Sequence, residues 1–292
     1  MKNPLLICVL SVMLGCTNRP NEMETLFLVE RVPEGLPMHY APTDIQPGYI
    51  IHRGIFSNDL SEFYFTISDT SFSNFTVQVT SKIQGKWSKP KEAFFNSKYD
   101  DHGMSFSPDG NTLVFSSTRP TPSDKVPQTW HIWRSEQDEE GWSTPVYVEI
   151  PNLRSKLISH PTLGPNGTIY FQASNLDYSE LSIYYSRLSN GKYQDAEKIP
   201  FDLSAYGYCT PYLSADGNHL VFAAVNEHLD LYICDKLKND QWSTPRKLSD
   251  EINRHGQGNP YLTPGGDFLF YAIEDKKTGQ WRINWISTAS FL

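Results

Sequence analysis

One phrase returns five times at intervals of about fifty residues in this 292-residue chain, and a period of that length restricts the fold to repeat arrays such as solenoids and propellers. The copies are Gly54-Ile55-Phe56-Ser57-Asn58-Asp59-Leu60, Met104-Ser105-Phe106-Ser107-Pro108-Asp109-Gly110, Pro161-Thr162-Leu163-Gly164-Pro165-Asn166-Gly167, Pro211-Tyr212-Leu213-Ser214-Ala215-Asp216-Gly217 and Pro260-Tyr261-Leu262-Thr263-Pro264-Gly265-Gly266. Their last residues are spaced by 50, 57, 50 and 49 positions. Each is followed by an apolar run such as Leu113-Val114-Phe115-Ser116 or Leu220-Val221-Phe222. A Pro-Asp-Gly or Ala-Asp-Gly turn between two apolar runs makes a hairpin, because Pro presets φ and Gly accepts a positive one.

A third run alternates apolar and polar residues, as in Trp130-His131-Ile132-Trp133-Arg134 and Leu229-Asp230-Leu231-Tyr232-Ile233, which is the period of a strand. A second signature then recurs: Gly85-Lys86-Trp87-Ser88-Lys89-Pro90, Gly141-Trp142-Ser143-Thr144-Pro145, Gly191-Lys192-Tyr193 and Gln241-Trp242-Ser243-Thr244-Pro245. It leads into a fourth strand whose Pro is tolerated at a sheet edge. Four antiparallel strands per repeat describe an all-β propeller, with five blades by this count. A sixth blade, the alternative, would have to fit in residues 20–50, which is too short. The fifth copy ends after its third strand, Trp281-Arg282-Ile283-Asn284-Trp285-Ile286, so its outer strand must come from the amino-terminal side, near residues 38–45 or 26–32. That exchange would close the ring and remove the free edges.

Composition agrees. Aromatic residues make up 13% of the chain, alongside 20 Pro and 18 Gly, a mixture of strand and turn formers. A formal charge of −8 argues against an extended nucleic-acid footprint. Four cysteines are too few for a disulfide scaffold. Cys209 and Cys234 fall two strands apart in one blade, about 9.6 Å, beyond the 4.4–6.8 Å Cα separation a disulfide spans, and are expected as unpaired thiols.

The Ser-Pro-Asp-Gly and Gly-x-Trp-Ser-x-Pro phrases resemble the WD40-like PD40 repeats of TolB-type propellers, especially lipid-anchored proteins of Bacteroidetes, over residues 38–292. Copy one departs by lacking Pro and Gly, and copies three and five by lacking Asp. The resemblance implies an envelope protein and no fixed activity. The amino terminus is consistent with that address. Lys2 and the apolar run 4–14 suit a secretory signal, too short to span a bilayer. Met13-Leu14-Gly15-Cys16 resembles a bacterial lipobox, which implies removal of residues 1–15 and lipidation of Cys16. Thr17, where Asp would signal inner-membrane retention, implies the outer membrane. Residues 16–37 would then form a tether and possible closing strand ahead of the propeller at 38–292.

Antiparallel strands alternate ends, so the repeated Asp-Gly turns share one face and the variable loops the other. Function concentrates on such loops, and the innermost strands converge on the axis. The residues entering those strands on the loop side are His52, Asp101 with His102, His160, Tyr208 with Cys209, and Gln257 with Asn259. His52 and His102 lie four residues before Phe56 and Phe106, and His160 is offset by one. No cofactor is expected, although three imidazoles at a channel mouth could bind a divalent metal, as in the metal-dependent oligogalacturonate lyases built on a related propeller. Asp100-Asp101 could supply acid–base chemistry, and Arg119, opening the longest loop, could grip a carboxylate. One Trp or Tyr per repeat reads as inter-blade packing. His-Glu-x-x-His, Gly-x-Ser-x-Gly and the phosphate-binding Gly-x-x-x-x-Gly-Lys are all missing, and Gly110 and Gly217 directly follow Asp, which breaks the sialidase Ser-x-Asp-x-Gly box. The expectation is a membrane-anchored module that binds an envelope protein or glycan through its loop face, with a carbohydrate-active hydrolase or lyase as the alternative. Two carboxylates about 5 to 10 Å apart at the mouth would favour the enzyme. An aromatic or polar rim would favour binding.

Overall fold

The computed structural model describes residues 22–43, 48–254 and 256–292. It is a five-bladed β-propeller. The innermost strands are Tyr49–Phe56, Asp101–Phe106, Leu157–Leu163, Gly207–Leu213 and Gly258–Leu262, and each is followed outward by two further antiparallel strands. In blades one to four a short outer strand comes from the same repeat, as with Lys91–Glu92 on the third strand of blade one and Arg246–Lys247 on that of blade four. In blade five it comes from Met38–Tyr40, whose three residues pair with Trp285, Asn284 and Ile283. Of the two closing segments that the sequence offered, the one at 38–45 is used; within it, residues 44 and 45 lie outside the described residues. The signal sequence and Cys16 also lie outside them.

The repeated phrases work through hydroxyl groups. In blade two, Ser107 Oγ donates to Asp109 and accepts from Thr112 N–H at 2.9 Å, while Asp109 accepts from Asn111 N–H at 3.1 Å. Ser57 with Asp59 and Ser214 with Asp216 repeat the arrangement. This network holds the first hairpin even where copy one has lost its glycine, so that Leu60 adopts a φ of 58° where Gly110 has 79°. The serine of the second signature fills the ladder where the outer strand is interrupted by Pro. Ser88, Ser143 and Ser243 Oγ each accept a backbone N–H of the third strand at 3.0 Å. The signature tryptophans pack across blades: Trp142 stacks on Phe94 of the preceding blade at 5.1 Å, and Trp242 meets Tyr170 edge-on at 6.0 Å.

The stretch expected to be a tether as far as residue 37 is docked from Glu22 onward. Met23, Leu26 and Phe27 have helical spacing, and Glu22–Phe27 forms a six-residue helix in place of a strand. Phe27 is 1% exposed, enclosed by Phe56, Phe268, Phe270 and Trp285 at ring separations of 5.2–6.0 Å. Lys82 donates to the carbonyl of Leu26, and Tyr40 OH to that of Phe27. Cys209 and Cys234 are buried free thiols. Among the described residues no helix is long and apolar enough to cross a membrane.

Tyr40 is 3% exposed and meets Phe56, Phe63, Phe270 and Trp285, so it joins blades one and five. Tyr40→Ala is expected to cost about 3–5 kcal/mol of stability, the range for deleting a buried ring. Urea unfolding of the variant with a loss below about 1 kcal/mol would show that closure does not rest on this contact.

Candidate functional site

Every innermost strand slips register once, between Ile51/Gly54, His102/Ser105, Ser159/Thr162, Cys209/Tyr212 and Gly258/Tyr261. A bulge of this kind re-aims the extra residues, and here the five bulges form one layer around the axis near the loop face. Gly103, His160, Thr210 and Asn259 hold equivalent places in it with φ of 49–62°. At Gly103 a Cβ would be crowded, 3.3 Å from the Cα of His160 and 3.1 Å from Ser116 Oγ, in a backbone conformation that favours glycine. Neighbouring blades are tied through this layer: His160 N–H donates to Ser116 Oγ at 2.8 Å, Thr210 N–H to Gln172 Oε1 at 2.8 Å, and Asn259 N–H to Thr210 Oγ1 at 3.3 Å.

His52, His102 and His160 gather in this layer, each 8% exposed. The His102 ring lies 4.5 Å from that of His160, 4.1 Å from Trp130 and 5.3 Å from Phe75, and Phe75 also packs on His52 at 5.1 Å. His52 Nε2 is 2.8 Å from Ser68 Oγ, whereas His102 Nε2 is buried without a partner. Beside them stands a residue that the sequence reading passed over. Arg53 occupies in blade one the bulge place that Gly103 and His160 occupy in blades two and three, and it is wholly buried. Its Nη2 donates across the axis to the carbonyls of Thr210 (3.4 Å) and Pro211 (3.1 Å), and its guanidinium carbon sits 5.8 Å from the Tyr212 ring centroid. The signal was present: Arg53 is the one full charge in the strand Ile50-Ile51-His52-Arg53-Gly54-Ile55-Phe56, which is apolar apart from His52.

Burial sets the electrostatics. It pushes His52 down to about 4. His102 and His160 are held well below the usual imidazole range, first by burial and then by one another or by His52 and Arg53. Arg53 is itself pushed down to about 10 by burial, and the groups acting on it are Tyr212 and Cys209. The mouth thus holds neutral imidazoles around one guanidinium, and among the described residues no carboxylate acts on any of them. Among the described residues no group of three or more His, Cys, Asp or Glu side chains is placed to hold a metal ion.

Asn259 belongs to the same layer, but Asp101, Arg119, Tyr208 and Gln257 do not join it. Asp101 points the other way along its strand, accepts from Ser97 N–H and Oγ at 2.7 and 2.8 Å, and is paired with Arg119 at 2.7 Å. The Arg119 guanidinium lies 5.1 Å from both the Phe115 and Trp133 ring centroids and also donates to Phe95 O. These two charges neutralise each other between blades one and two. Asp100 accepts from Phe75 N–H at 2.8 Å, which occupies the second carboxylate of that pair. Tyr208 packs on Phe201 and Phe222 and donates to Leu203 O, while Gln257 is fully buried and donates to Leu229 O and Asn253.

The sequence matches no family model and no curated protein. Similarity to solved structures is in fold. A protein of unknown function from Dyadobacter fermentans superposes with a TM-score of 0.51 at 10% identity, covering 88% of this chain and 98% of that one. A putative TolB from Agrobacterium tumefaciens gives 0.48 at 18% identity, with 82% and 92% covered. TolB from Acinetobacter baumannii gives 0.46 at 16% identity, and the match spans 81% of this chain but about half, 54%, of that protein. The shared feature is the propeller.

Two outcomes follow from the charges. Because folded imidazoles resist protonation, the unfolded chain takes up protons that the folded one refuses once the pH drops below about 6.5. Stability should be complete above that pH and fall by up to about 1.4 kcal/mol per pH unit for each buried imidazole, down to about pH 4, where His52 protonates in the folded state. Urea unfolding across this window checks it, and the double variant His52→Gln/His102→Gln should flatten the slope. Removing one partner of a buried pair strands the other charge, so Arg119→Ala should cost about 3–5 kcal/mol. A cost no greater than that of an exposed pair would contradict the burial of Asp101.

Proposed function

We propose that the protein is a lipid-anchored envelope module that binds a protein or glycan through the loop face of its propeller. The observation that carries this reading is an exposed rim on that face: Tyr49 at the start of its strand and Phe72, Leu176, Tyr178 and Tyr206 in the loops stand 47–83% exposed, with Phe72 leaning on Trp281. Aromatic side chains left in water around a concave centre suit stacking on sugar faces or anchoring a protein contact. Asp100 and Asp101, the carboxylates that a hydrolase or lyase would have needed at the mouth, are committed to Phe75 N–H and Arg119. This favours binding over catalysis.

The docked amino-terminal helix supports a definite orientation. Phe27 sits against Phe56, Phe268 and Trp285, which lie at the Asp-Gly turn end of blades one and five. Only residues 17–21 separate Cys16 from Glu22, and at about 3.5 Å per residue they would hold that face near the bilayer and turn the loop face away. With Thr17 following the lipobox, the membrane would be the outer one.

Cys16→Ala in the full chain is expected to move the protein from the membrane fraction to the soluble fraction. Unchanged sedimentation, or an unmodified amino terminus in the mass spectrum of the extracted protein, would sink the anchor. The rim variant Phe72→Ala/Tyr178→Ala/Tyr206→Ala should lose capture of envelope protein or glycan by at least tenfold, with stability changing by no more than about 0.5 kcal/mol per site. Equal capture by variant and wild type would move the binding surface elsewhere.

A further inference from the structure

The channel mouth contains a charge that no side chain among the described residues neutralises. A guanidinium carries five N–H groups. In Arg53 only Nη2 is used, on two backbone carbonyls, while Nε and Nη1 are buried without partners. The side chains around it are His52, His102, His160, Cys209 and Tyr212, none of them negative at neutral pH: burial raises the Cys209 thiol to about 12 and raises the Tyr212 phenol as well. An isolated buried charge costs several kcal/mol unless it is paired. The carboxylate that precedes His102 in the chain, Asp101, is spent on Arg119. Further along the axis, Phe56, Phe106, Leu163, Leu213, Tyr212 and Tyr261 line a space of only about 20 Å³.

We propose that this mouth is a site for one small monovalent anion, a halide or the carboxylate of a ligand, held by the free N–H groups of Arg53 and by Nε2 of His102. One guanidinium among neutral imidazoles balances a single negative charge. A dianion such as phosphate would leave excess charge in a desolvated site, so the site selects against it. Two partnerless groups that act on one another, a cation and a neutral donor, leave N–H groups free for one carboxylate or one halide. The site lies beneath the aromatic rim and stands independently of the anchoring and partner-binding reading.

The test is thermal unfolding of the full chain in detergent, with sodium chloride or sodium acetate replacing sodium methanesulfonate at constant ionic strength. At least one of the two should raise Tm saturably by a few degrees, the response of a ligand that binds only the folded state. Chloride alone would identify a free inorganic ion as the occupant, and acetate competing with chloride a seat for a ligand's carboxylate. No saturable rise with either overturns the proposal. Arg53→Met should abolish the response and raise the baseline Tm in methanesulfonate, whereas an undiminished response places the anion elsewhere and also overturns it. Should Arg53→Met fail to fold, crystals of the wild-type protein in sodium bromide decide: anomalous density within about 3.5 Å of Arg53 Nε or Nη1 supports the site, and density only at other positions, or none, rejects it.

Discussion

Ring closure depends on three residues. Met38–Tyr40 pair with the third strand of blade five, and the contact between His39 Nδ1 and Ile283 O joins positions 244 residues apart. Local hairpins can form within each repeat, because their two strands are separated by a few turn residues. The closing pair must instead bring the ends of the domain together, which is entropically the most expensive contact in the ring. Its compensation is the burial of Tyr40 and Phe27 in an aromatic cage shared by blades one and five. Without it, two bare sheet edges would face solvent.

Closure in turn fixes the bulge layer. Hydrogen bonds through this layer, from His160 to Ser116, from Thr210 to Gln172 and from Asn259 to Thr210, pass from blade to blade, and Arg53 reaches across the axis to the carbonyls of Thr210 and Pro211. These bonds need every blade at a set angle to its neighbours. On the turn face the Ser-x-Asp networks complete themselves within one hairpin, and Asn58 adds bonds to Ser107 O and Pro108 O of the next blade. The hairpins of the turn face are therefore fixed locally, whereas the bulge layer depends on the whole assembly.

That contrast explains what was legible in the sequence. Hairpin chemistry is local and repeats in register, so Ser107-Pro108-Asp109-Gly110 and its counterparts disclosed the blades, their number and the need for a closing strand. The short helix at Glu22–Phe27 was harder to see, because six residues carry little periodicity and their burial depends on a cage built from blades one and five. At the mouth, His52, His102, His160 and Asn259 were found by counting back from the turn. Arg53 was missed because the bulge shifts the inward-facing position by one residue, and the offset of His160 was the visible trace of that shift. Asp101 and Arg119 were read as separate candidates, one for acid–base chemistry and one for gripping a carboxylate. Their pairing follows from the register of the first hairpin of blade two, in which Asp101 lies opposite Ser117, two residues before Arg119, and that register could not be fixed until the bulge was known.

Net charge and local charge also point in opposite directions. The chain carries −8 overall, which would repel an anion at long range. Exposed carboxylates act through water, however, and are screened beyond about 8 Å at physiological ionic strength. Arg53 is wholly buried, so its field is little screened at contact distance and weak far from the mouth. A negative ligand would gain nothing from diffusional steering and everything from reaching the bulge layer. Selection at this site must therefore act after encounter, through fit between the aromatic rim and the two unpartnered donors, and it would depend on ionic strength less than recognition by a surface patch would.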